Sequence, residues 1–146
     1  MSLEPQSKPI GEDLFTWPSD NPALLGSRCQ DCGRVSFPVT DSCSACCSAD
    51  MQVEELPRTG TLWTWTVQRF MPKTPYNSGE TQETFKQYGV GYVELADCIR
   101  VESRLTENNP DKLKIGMEME LVVSPYRTES DGSQVMGFAF APVGDA

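Results

Sequence analysis

The chain contains no histidine among its 146 residues. That absence removes the Ser-His-Asp triad, the Cys-His pair and every histidine general acid or base. It also removes zinc fingers with mixed cysteine and histidine ligands and zinc enzymes with three histidines. Positive charge is scarce: 12 Lys and Arg face 21 Asp and Glu, a formal charge of −9. A phosphate backbone rewards Lys and Arg, so this balance argues against a nucleic-acid partner. Long apolar runs are missing as well. The opening MSLEPQSKPIGEDLF has neither an apolar stretch nor a basic flank, so no signal peptide is expected, and nothing approaches the ~20 apolar residues of a membrane helix. The expected compartment is the reducing cytoplasm, where cysteines serve as metal ligands or thiols more readily than as disulfides.

Present instead are six cysteines, eleven prolines and eleven glycines, with 38% hydrophobic residues. That apolar content is low for a globular chain but too high for disorder. Residues 1–13 are polar and read as an arm that is mobile or docks elsewhere. Residues 14–25 contain Phe15, Trp17, Leu24 and Leu25, and Asp20 could cap one short helical turn with Pro22 inside it. Pro18 and Pro22 forbid a longer helix.

Residues 26–50 carry few large apolar side chains beyond Val35, Phe37 and Val39, so something other than a core must hold them. Cys29, Cys32, Cys43 and Cys46 spell C-x2-C-x10-C-x2-C. Each pair can wrap a knuckle whose amides point at the thiolates, and two knuckles supply a closed tetrahedral site. Zinc is the expected ion; iron fits the same ligands. Four thiolates leave no open position, so the role is structural. Two thiol pairs without metal, or a redox motif, are the alternatives. Gly33 follows the first pair, where a positive φ is expected, and Cys47 holds that position in the second. Cys47 is also a candidate alternate ligand, and Cys98 reads as a small buried hydrophobe.

Residues 51–58 read as a polar connector, and from residue 59 onward the pattern becomes β. In residues 61–68, Trp63, Trp65 and Val67 alternate with polar neighbours and are expected on one face. That face is the barrel core or, less simply, a stacking platform for single-stranded nucleic acid. Residues 71–84 form a long loop, which raises the chance of a contact. Further strands are expected at 86–95, with Gly89 and Gly91 permitting a bulge or tight curvature, and at 99–105, 117–123 and 135–140. Met117, Met119 and Met136 fall on the apolar faces. Five short strands with turns between them predict a small barrel. Arg28, Arg34, Arg69 and Lys73 are the basic candidates for a phosphate or a partner.

The order LLGSRCQDCGRVSFPVTDSCSAC, GTLWTWTV, QYGVGYVELADCIRVESRL, IGMEMELVV resembles the OB-fold, acyl-CoA-associated proteins with a rubredoxin-like zinc ribbon, a family long described as a domain of unknown function. The resemblance implies a mainly β fold: a short N-terminal helical segment (1–25), a zinc ribbon (26–50) and a five-stranded OB barrel (51–146). It implies zinc on the four ribbon cysteines, an acyl-CoA as possible ligand, and no catalytic residue. The implied role is an accessory subunit of a thiolase-like enzyme, a thiolase or a steroid side-chain aldolase, in a hetero-oligomer with two copies of each chain. The alternative is a zinc-ribbon and OB module for single-stranded nucleic acid. The chain departs from the family pattern at Pro18 and Pro22, at Cys47 where a glycine is usual, and in the length of the 71–84 loop.

Overall fold

The structure is a computed structural model, and it describes residues 7–96 and 99–144. Two sheets organise it. The smaller joins β2 (Leu25–Cys29) to β3 (Val35–Ser36) on one side and β4 (Met51–Glu55) on the other, all antiparallel. The larger contains β1 (Ser7–Pro9), β5 (Thr59–Gln68), β6 (Tyr88–Leu95), β7 (Ile99–Leu105), β8 (Glu118–Thr128) and β9 (Gln134–Pro142). A short 3-10 turn, Pro110–Lys112, lies between β7 and β8.

Strands β5 to β9 close on themselves. β5 pairs antiparallel with both β6 and β8, β8 pairs with β9, and β9 pairs parallel with β7. The result is the closed five-stranded OB barrel, which leaves no bare edge inside the ring. β-branched and aromatic residues alternating with charged ones put one face of each strand inward. Leu62, Val93, Val101, Met119, Leu121 and Phe140 are buried at its centre. The buried cluster continues through Phe15, Leu24, Val35 and Leu56, so the ribbon and the chain before it share this core.

A bulge in β5 shapes the barrel wall. Leu62 opposes Val93 and Thr64 opposes Tyr92, which leaves Trp63 as the extra residue. Facing the stretch beyond it is Gly91, opposite Trp65. A Cβ at Gly91 would come within 2.6 Å of the Thr64 carbonyl and 2.9 Å of Leu62 Cδ1. Only a glycine allows the two strands this close an approach.

Three expectations need correction. No helix forms in residues 14–25. Phe15 and Leu24 make an antiparallel bridge, and the backbone N–H groups of Thr16 and Leu25 donate across it to Ala23 and Leu14. Asp20 caps nothing, because Pro18 and Pro22 break any helical turn and leave an extended loop. The 51–58 connector contains β4, whose five residues pair in register with β2. Its alternating Met-Gln-Val-Glu-Glu is too polar to be read as a strand in isolation. Third, Trp63 does not share a face with Trp65 and Val67. The bulge sends Trp63 outward at 46% exposure, while Trp65 and Val67 pack on the core.

Part of the N-terminal arm also has a place: β1 pairs parallel with β9, and the N–H of Ile10 donates to the Met136 carbonyl at 2.7 Å. Residues 1–6 of that arm, and Cys98, lie outside the described residues.

Candidate metal centre

The four ribbon cysteines come together although ten residues separate the two pairs. Their sulfurs all lie within 4.8 Å of one another, with Cys29–Cys46 and Cys32–Cys43 at 3.5 Å. A tetrahedron of thiolates about 2.3 Å from a zinc has sulfur separations of about 3.8 Å, so the donor set fits that ion.

The two knuckles repeat the same backbone geometry. The N–H of Gly33 donates to the Cys29 carbonyl and that of Cys47 to the Cys43 carbonyl, both at 2.9 Å. The N–H of Cys32 reaches Cys29 Sγ and that of Ala45 reaches Cys43 Sγ, both at 3.4 Å. Gly33 (φ 82°) and Cys47 (φ 64°) occupy the same left-handed position, one per knuckle. Cys47 is exposed and outside the four-sulfur cluster.

Those amides favour thiolates. The amides of Cys46 and Ala45 hold Cys43 down to about 6, and the Cys32 amide holds Cys29 below its ordinary value. At Cys46 the Ser48 amide pulls the same way, but proton sharing with Cys29 and Cys32 outweighs it and lifts the thiol to about 12. Packing four sulfurs together therefore makes them compete for protons, a conflict that a dication removes.

Polar contacts brace the ribbon around this point. The buried Ser27 hydroxyl accepts from the Thr40 amide at 3.1 Å, and Ser48 Oγ donates to Asp31 Oδ2. Arg28 Nε and Nη2 donate to both carboxylate oxygens of Glu54, at 3.1 and 2.9 Å, clamping β2 to β4. The same guanidinium donates to the Gly33 carbonyl at 3.1 Å, directly behind the first knuckle.

The four basic candidates sit on different elements. Arg28 braces the ribbon. Arg34 is exposed beside β3, and Arg69 and Lys73 are exposed beyond the end of β5. A more elaborate basic position is Arg104 on β7, which is not among the four basic candidates read from the sequence. Three of the four tyrosines surround it. Its guanidinium carbon lies 3.8 Å from the Tyr88 ring centroid, 5.1 Å from Tyr126 and 6.0 Å from Tyr76. The loop after β5 folds back to supply Tyr76, Glu80 and Phe85 to this cluster. Nothing in the spacing of residues 76, 88, 104 and 126 announces the cluster; only barrel closure assembles it.

Residues 20–52 match the family described as ChsH2, rubredoxin-like zinc ribbon domain, and residues 53–124 match ChsH2, C-terminal OB-fold domain. A DUF35 domain-containing scaffold protein of Methanothermobacter thermautotrophicus is 33% identical over 82% of this chain and 86% of its own length. The chain belongs to the ChsH2/DUF35 family. Benzoylsuccinyl-CoA thiolase subunit BbsA of Thauera aromatica is 28% identical over 96% of this chain and 94% of that protein. Among solved structures, a chain of an Ltp2-ChsH2(DUF35) aldolase superposes with a TM-score of 0.61 at 25% identity, covering 82% of this chain and 84% of that one. The names of these relatives are those of a scaffold and a subunit. No helix among the described residues is long and apolar enough to cross a membrane.

Proposed function

We propose that this chain is a non-catalytic accessory subunit of a thiolase-like enzyme, a thiolase or an aldolase, that acts on acyl-CoA thioesters. Its similarity to BbsA along nearly the whole of both chains carries the proposal. The likeness to the Ltp2-ChsH2(DUF35) aldolase chain supports it independently. The names of these relatives specify benzoylsuccinyl-CoA in one case and an aldolase in the other, and no steroid. The substrate class is accordingly an acyl-CoA thioester rather than a steroid ester in particular.

In this role the chain folds around zinc held by Cys29, Cys32, Cys43 and Cys46. Such sites contribute on the order of 10–16 kcal/mol to zinc-finger peptides at neutral pH, ample for a segment with so little core of its own. Four thiolates and one dication add about −2 locally, which deepens the acidity and favours a protein partner over nucleic acid. The base and the oxyanion donor that carbon–carbon cleavage needs belong to the partner. The assembly holds two copies of each chain in the cytoplasm.

Co-expression with a thiolase-like protein encoded beside this chain tests the proposal. A stable complex on gel filtration, and acyl-CoA turnover that depends on both chains, is the expected result. Failure to associate, with turnover indifferent to this chain, overturns it.

A further inference from the structure

Arg104 is a half-buried cation that makes no salt bridge among the described residues. The ion pairs among the described residues are Arg28–Glu54, Arg100–Glu94 and Arg127–Glu129, and Arg104 is in none of them. Its hydrogen-bond partners are neutral: Nη2 donates to Tyr76 Oη at 2.6 Å, and the Tyr88 phenol takes a second bond. Burial pushes the Tyr88 and Tyr126 phenols above their ordinary value, so neither supplies an anion. Glu80 is close enough for its charge to be felt but makes its hydrogen bonds to Ser78 Oγ, Tyr76 Oη and the Lys86 amide. Two phenol oxygens do not use a guanidinium's five N–H donors, which leaves donors that a ligand can engage.

Three cavities open at this residue, two of them of similar size. The larger, about 390 Å³, runs between Arg104 and an apolar wall of Ile10, Val90, Tyr126 and Phe138. The second, about 380 Å³, continues from Arg104 and Tyr88 towards Ser78 and Lys86. Volumes of this size suit a small organic ligand, and a few polar groups on an apolar wall fix its orientation. The larger cavity also touches Glu102. One arginine against one nearby carboxylate suits a single negative charge better than a phosphate dianion. The flat guanidinium fork matches a carboxylate, and the tyrosine rings offer faces to stack on.

We propose that this barrel-side cleft binds a monocarboxylate carried on an aromatic ring, with Arg104 pairing the carboxylate and Tyr88, Tyr126 and Phe138 contacting the ring. The site is a property of the isolated chain and stands whether or not the thiolase-like partner does.

The test is calorimetric titration of the full chain with 2-naphthoate, its neutral analogue 2-naphthalenemethanol, and inorganic phosphate. Saturable 1:1 binding of naphthoate is expected, with at least about tenfold weaker binding of the neutral analogue and of phosphate. Arg104→Met should lose about tenfold or more in naphthoate affinity, and Arg104→Lys, which keeps the charge, should lose less. Absent naphthoate binding, an unchanged affinity in Arg104→Met, or equal or tighter binding of either control overturns the proposal. Should Arg104→Met fail to fold, amide chemical-shift changes in the unaltered chain decide. Shifts centred on Tyr88, Arg104, Tyr126 and Phe138 support the site, and shifts centred elsewhere overturn it.

Discussion

Leu62 and Trp63 are adjacent in sequence and opposite in environment: Leu62 is fully buried and Trp63 is 46% exposed. Strand alternation turns the two side chains to opposite faces, and the outward indole is covered by Arg100, whose guanidinium carbon sits 4.0 Å from the ring centroid. Glu94 holds that guanidinium at 2.9 Å, and Tyr92 meets the indole edge-on at 6.2 Å. A surface cation–π contact contributes about 0.5–1 kcal/mol. Trp63→Ala should therefore cost about 1 kcal/mol, whereas Leu62→Ala, which empties a core position, should cost about 2–5 kcal/mol. Urea denaturation of both variants reads the contrast. Equal losses would mean that the indole is part of the core.

The barrel strands are legible in the sequence because alternation survives wherever one face is buried. The strand 99–105 is found at its expected ends, with Val101 and Leu105 inward. The metal centre is legible for a different reason: knuckle chemistry is local, and the left-handed Gly33 follows from spacing alone. Long-range consequences are not legible. Pairing with β2 turns polar residues 51–55 into a strand, and barrel closure brings Arg104 to Tyr76 and Tyr126. The bulge at Trp63 defeats a period-2 reading, because one inserted residue reverses the face of everything before it.

Cys43→Ser removes one of the four cysteines whose sulfurs cluster as a zinc site would need. Bound metal should fall from one ion per chain to near none by elemental analysis. Amide exchange should accelerate first in β2, β3 and β4, while β6 and β7 remain protected. The ribbon shares Leu24, Val35 and Leu56 with the common core, so some loosening beneath it is also expected. A fully folded ribbon without metal would contradict a structural ion.

Glu80 gives the loop after β5 a dependence on acid. Desolvation raises its carboxyl, but hydrogen bonds from Ser78 Oγ, the Lys86 amide and Tyr76 Oη, with the Arg104 charge, outweigh that and hold it below 4.5. A carboxyl depressed in the folded state contributes stability above its unfolded value, and loses it as pH falls through the folded one. Exchange of the amides of residues 76–88 should therefore quicken as pH drops from about 6 to about 3.5, after correction for the intrinsic rate. Glu80→Gln should start looser and stay flat across the same interval. A wild-type loop indifferent to this pH range would show that Glu80 does not hold it.

Cys47 separates ligation from backbone conformation in the second knuckle. It adjoins Cys46 but is exposed and outside the sulfur cluster, with its φ at 64°. A left-handed backbone costs a residue with a Cβ about 1–2 kcal/mol, and glycine avoids that cost while losing part of the gain to its freer unfolded chain. Cys47→Gly should keep one metal per chain and leave stability unchanged or raised by about 1 kcal/mol at most. Gly33 provides the converse. Nothing lies within 4 Å of a Cβ built there, so Gly33→Ala meets no steric clash and should lose stability through its φ of 82° alone. Metal content and thermal unfolding of the two variants together test the equivalence of the knuckles. Loss of metal from Cys47→Gly would make Cys47 a ligand, and a harmless Gly33→Ala would deny the left-handed position its role.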